Sequence, residues 1–203
     1  MFVLLATFIG LISCKGKKNT AGKETAEQKT TEVVQDTAKD SAEIRTVIID
    51  FYNWYNKNYA KLQEYHLYSG IKKKDAPPYK INWDEVTKYQ DYIRTSLPQL
   101  GEEFLKDQKQ FFEKCDSAFK VDVEDDIPYG FDYDWYTNSQ EETQYLINQL
   151  DTGEPWILTW SGDHAMVDIQ GYPGNGKKAA TTVIKLLVNK ESSQWKIAKI
   201  GIE

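Results

Sequence analysis

The residues best equipped for chemistry gather in one stretch. Between Asp122 and Asp134 the chain places Glu124, Asp125, Asp126 and Asp132, with Pro128 and Gly130 among them, and then runs into Trp135, Tyr136 and Gln140. Carboxylates beside indole and phenol rings suit two tasks: oxygen ligation of a hard cation, or recognition of a ligand that combines polar groups with a flat apolar face. The spacing lacks the alternating acids, central Gly and closing Glu of an EF-hand, so a solvated acidic loop is expected and no metal is assigned. Asp132, Asp134, Trp135, Tyr136 and Gln140, together with Trp160 further on, are expected to line a pocket or an interface. Most of the remaining aromatic residues are expected in the core.

Other constellations are incomplete. Asp134, Asp168, His66 and His164 are the candidates for a general base, and the chain holds only these two His. His164 follows Asp163 in a turn, no Gly-x-Ser-x-Gly elbow occurs, and no His pair has metal spacing. No catalytic residue and no cofactor is assigned. Gly171 to Lys178 approaches a phosphate-binding loop, but the Ser or Thr that would hold Mg²⁺ is missing and β-prone Thr181-Thr182-Val183-Ile184 follows where a helix is needed. A turn between strands is the expectation.

Cys14 has a different chemistry. Phe2 to Ile12 is an apolar run too short to span a bilayer and suits the core of an export signal. It ends in Leu11-Ile12-Ser13-Cys14, which resembles the lipobox of bacterial lipoproteins, where cleavage precedes a diacylglyceryl-modified Cys. No Lys or Arg precedes the run; an upstream start codon would supply them. Residues 1–13 are read as the signal peptide, Cys14 as the lipidated residue, and residues 14–40 as a tether whose polar composition cannot offset the entropy of ordering. Lys15 in place of Asp after Cys14 favours the outer membrane, with the domain facing the periplasm. Cys115 is then the only remaining thiol, and its place on an apolar helical stripe predicts a buried, inert side chain.

The charge divides along the same lines. Residues 15–40 carry six Lys against five acids, so the net charge of -6 for the whole chain leaves -7 on residues 41–203. That region also holds 25 of the 27 aromatic residues. An acidic domain without a basic stripe is repelled by phosphate backbones, which excludes nucleic acid as a partner.

The elements that must position these residues follow from periodicity. Asp40 or Ser41 is expected to cap a helix carrying Ile44, Val47, Ile48, Phe51, Tyr52, Tyr55 and Tyr59 at helical spacing. Pro77-Pro78 is expected to break regular structure. Asp84 starts a second helix through Val86, Tyr89 and Ile93, Ser96-Leu97-Pro98 starts a third, and a short helix lies within 138–149. Two hairpins close the chain: 155–160 with 165–170 around Gly162-Asp163, and 181–189 with 195–202 around 190–194. Helices first and antiparallel strands last define an α+β domain over 41–203, with the helices on one face of a curved sheet.

The helix around Ile49-Asp50-Phe51-Tyr52-Asn53-Trp54-Tyr55, the segment from Asp132 to Glu141 and the closing Trp195-Lys196-Ile197-Ala198-Lys199-Ile200 are similar, in this order, to the YbjP/YqhG-type lipoproteins. Asp134-Trp135-Tyr136 replaces the Asp-Pro-Phe expected there, and Glu141 stands where Asp is common. The resemblance implies a cystatin-like cone of the nuclear-transport-factor-2-like kind and an envelope location; that family brings no settled activity. The expectation is a non-catalytic, lipid-anchored envelope protein that binds a partner, in the first place another envelope protein. The alternative is a small-ligand binder or acid/base enzyme using the interior of the cone.

Overall fold

The computed structural model describes residues 37–121, 123, 127–152, 154–172 and 181–202, all within the unit Gln35–Glu203. The signal peptide, Cys14, residues 15–36 of the tether, the Gly-Lys loop from 173 onwards and Asp122, Glu124, Asp125 and Asp126 lie outside the described residues.

Helix α1 runs from Thr37 to Leu62 and buries Ile44, Ile48, Phe51, Tyr52 and Tyr55, the stripe expected from its spacing. It starts earlier than expected. Asp40 lies inside its first turn, where a carboxylate suits the positive end of the helix. Its oxygen accepts the Trp195 indole N–H at 2.9 Å and pairs with Lys190 at 2.8 Å, so distant partners hold residues that composition alone assigns to the tether.

A short antiparallel pair follows, β1 Tyr68–Gly70 with β2 Tyr79–Ile81. Here the expectation of irregular structure is corrected. Pro78 sits just before β2, where its missing N–H costs nothing, and its carbonyl accepts from Ile71. Helix α2, Trp83–Ser96, begins just after Asn82, whose side chain makes no capping bond, so Asp84 lies inside its first turn. Helix α3, Glu102–Ala118, begins six residues beyond Ser96 because the intervening backbone is claimed by a strand. Gly101 N–H donates to the Ile197 carbonyl at 2.9 Å and Ile197 N–H to the Gln99 carbonyl at 2.8 Å, which covers an edge of the main sheet.

That sheet is antiparallel, with β3 Ile157–Ser161, β4 His164–Gly171, β5 Thr181–Glu191 and β6 Gln194–Ile200 side by side in chain order. Gly162 takes φ 58° in the β3–β4 turn, as a two-residue hairpin requires. The β5–β6 turn is tighter than the five residues expected, since Ser192 and Ser193 both adopt positive φ and the strands extend to Glu191 and Gln194. A register shift at Leu187/Val188 lets two consecutive residues, Ile197 and Ala198, face inward and bends the sheet. Helices α1 and α3 both pack against β6. Val167, Ile169, Leu186 and Val188 meet the helices, whereas Thr159, Ser161, His164 and Met166 on the other face are exposed. The architecture is α+β, with the three long helices drawn from the first half of the domain and the main sheet from the second.

Helix α3 also carries Cys115, fully buried among Phe104, Leu105, Gln108 and Phe112 on the same face. Burial pushes its thiol up to about 12. In a Cys14→Ser protein, native Cys115 should resist an aromatic disulfide reagent at pH 8 and react fully in urea. Rapid labelling of the native protein would contradict this packing.

Candidate functional site

The acidic-aromatic segment folds back on itself before it meets the helices. Asp134 N–H donates to the Ser139 carbonyl at 2.9 Å and Ser139 N–H returns to the Asp134 carbonyl at 3.4 Å, closing a turn over residues 135–138. Within it, the Asp134 carboxylate accepts the Tyr136 N–H at 2.9 Å, the local bond by which Asp favours turns. Upstream, Gly130 has φ 78°, and a Cβ there would meet Phe111 at 2.6 Å and the Cys115 sulfur at 2.9 Å. Only glycine lets the chain pass so close to α3. The Trp135 indole N–H donates to the Gly130 carbonyl at 2.7 Å, and Gln140 donates to the Asp132 carbonyl at 3.2 Å, so the segment is braced at both ends.

Tyr136 fastens this segment to the core. Its ring lies 4.8 Å from Tyr55 and 5.9 Å from both Phe51 and Phe104. Its hydroxyl shares a 2.7 Å hydrogen bond with Tyr89 and accepts from Gln108 at 3.3 Å, while its carbonyl accepts the Tyr52 hydroxyl at 2.9 Å. Tyr55 donates to the second oxygen of Asp134 at 2.9 Å. Four tyrosines and one carboxylate thus form a satisfied polar network inside an aromatic core. Burial raises the pKa of Tyr52, Tyr55, Tyr89 and Tyr136, so their hydroxyls stay protonated.

Asp134 is itself raised, by burial first, against the lowering effect of the Tyr136 N–H and the Tyr55 hydroxyl. A folded-state pKa above the unfolded value means that the native state binds the proton more readily, so this group stabilises most when protonated and loses that contribution as pH rises through the raised value. Asp134→Asn should remove the dependence. Measured by urea denaturation across mildly acidic to neutral pH, the variant should gain on the parent as pH rises; parallel profiles would show that the carboxylate is not desolvated.

Above this network lies an open groove of about 640 Å³, between the C-terminal half of α1 and residues 131–144. The structure brings Asp132, Asp134, Trp135, Tyr136 and Gln140 together along it. Trp160 does not join them. It belongs to β3, on the side of the strand that turns inward, and packs 5.8 Å from Trp195 beside the buried Ala165, away from the groove. The opposite wall was not expected: Asn56 and Tyr59 share one face of α1 at i and i+3, and Gln63 follows in the turn just past its end. The signal for it is the Tyr55–Tyr59 repeat, whose second ring is left 42% exposed while Leu62 returns to the core. Helix α4, Thr143–Gln149, closes one end through a 3.3 Å hydrogen bond from Asn56 to Gln144.

The groove is lined by acids and neutral polar groups beside its rings. Its carboxylates are Asp132, Asp134, Glu141 and Glu142, and no Lys, Arg or His lines it among the described residues. Both Asp134 oxygens accept internal donors, which ties the carboxylate into the turn and to Tyr55. His66 and His164 are exposed elsewhere, and Asp168 sits on β4 across from Ile157 and Lys185. Among the described residues no three His, Cys, Asp or Glu side chains converge as metal ligands, and no helix is long and apolar enough to cross a membrane. No family model, no curated protein and no solved structure matches the chain.

Proposed function

We propose that this is a lipid-anchored protein of the cell envelope, attached at Cys14, whose domain is a non-catalytic binding module that holds a small ligand in the groove above Asp134. One observation carries the reading: a groove within the usual range of small-molecule sites, roughly 300–1,000 Å³, is lined by rings and polar side chains and floored by the hydrogen-bonded network of tyrosines and Asp134. The lipobox-like residues before Cys14 and the polar chain after it support the anchor. Cys14→Ser should remove the lipid mass and move the protein from the membrane to the soluble fraction; unchanged membrane association would rule out anchoring at this residue.

A protein partner is favoured by a different feature. Val121, Ile127 and Tyr129, beyond the end of α3, are 83%, 58% and 54% exposed. A photo-crosslinking amino acid placed at 140, at 129 and, as a control, at Met166 separates the readings in living cells. The groove reading requires a small-molecule adduct at 140 and none at 166. Protein adducts confined to 129 would transfer the binding function to the other surface.

A further inference from the structure

We propose that the ligand of the groove is a neutral saccharide; this rests on the groove being a binding site. A pyranose ring offers an apolar C–H face and a girdle of hydroxyls, each both donor and acceptor. The groove provides the complement of both. Tyr59 and Tyr133, 42% and 37% exposed, present phenol rings from opposite walls, and Tyr59 is held edge-on to Tyr55 at 5.7 Å. Between them stand planar polar groups: the carboxamides of Asn56 on α1 and of Gln63 just past its end, and Gln140 with Asp132 on the facing segment. Carboxamides donate and accept at once, which matches vicinal hydroxyls better than a bare cation, for which only the oxygens would serve.

Two other classes fit less well. Anionic ligands such as phosphate esters or uronates would face four carboxylates without one compensating Lys, Arg or His among the described lining residues. A lipid chain would have to cover carboxamides and carboxylates that now face water, at a cost of about 1–3 kcal/mol for each polar group left unpaired. Gln140 is already oriented by its bond to the Asp132 carbonyl, leaving its amide oxygen for a ligand hydroxyl. The braces around Asp134 fix the backbone of the same wall, so ligand binding need not order it.

The test is an array of immobilised neutral, uronate-bearing and sulfated oligosaccharides, probed with the full chain in detergent. Binding is expected on neutral glycans only. Tyr59→Ala and Gln140→Ala, both at exposed positions that leave the core intact, should each weaken it by about tenfold, whereas His164→Ala on the far face of the sheet should not. Failure to bind any neutral glycan, preference for the acidic ones, or retained binding by Tyr59→Ala would overturn the assignment. A small-molecule crosslink at position 140 with a blank array would remove the saccharide and keep the binding site; loss of both would remove the binding site as well.

Discussion

Tyr136→Ala is expected to lower the unfolding free energy by about 3–5 kcal/mol, the usual range for deleting a buried aromatic side chain. The ring is 2% exposed and touches Phe51, Tyr55 and Phe104, so its removal leaves a cavity that none of these can fill without leaving its own rotamer. The hydroxyl adds a separate loss, because Tyr89 and Gln108 would be left without their partner in a dry interior. Tyr136→Phe isolates that part and should cost about 1–3 kcal/mol with the packing kept. Urea denaturation followed by far-UV circular dichroism measures both. Equal losses in the two variants would mean that the ring contributes little and that the polar network holds the groove wall alone.

The second large effect belongs to the opposite end of α1. Asp40→Ala should cost about 2–4 kcal/mol, since it leaves the Trp195 indole N–H without its acceptor and takes from Lys190 the carboxylate it pairs with. Asp40 is 5% exposed, and Lys190 also lies 4.9 Å from the Trp195 ring centre, so the three residues form one unit. Asp40→Asn keeps an acceptor for the indole and should recover about half of the loss. A double-mutant cycle with Lys190→Met reads the ionic contribution directly. Additive losses in that cycle would assign the whole effect to the indole bond.

Much of this architecture was legible in local pattern. The stripe from Ile44 to Tyr55, the Gly162-Asp163 turn and the alternation along β4 are each decided within a few residues, and the structure follows them. What escaped depends on partners far along the chain. Thr37 to Asp40 has the composition of a spacer and becomes helix because Trp195 and Lys190 reach it. Residues 97–101 could extend α3, but β6 offers its edge and takes their hydrogen bonds. The three-residue strands β1 and β2 are too short for any alternation to register. One wall of the groove was readable because its acids and rings are contiguous. The other was not, because Asn56, Tyr59 and Gln63 acquire meaning only once residues 131–144 fold across them. Trp160 stands apart from the groove because strand parity turns it inward between two exposed neighbours.

The Asp40 clamp also has a mechanical side. A pull on the chain where it enters the domain at Thr37 meets, within one helical turn, a bond to Trp195 and an ion pair to Lys190, one on each strand of the β5–β6 hairpin. The load passes into the sheet there. Tyr59 lies 19 residues further along the helix, about 28 Å at 1.5 Å per residue. The groove is thus set apart from the point where tension arrives, and a ligand held beside Tyr59 would stay seated while the domain is tugged from its N-terminal side.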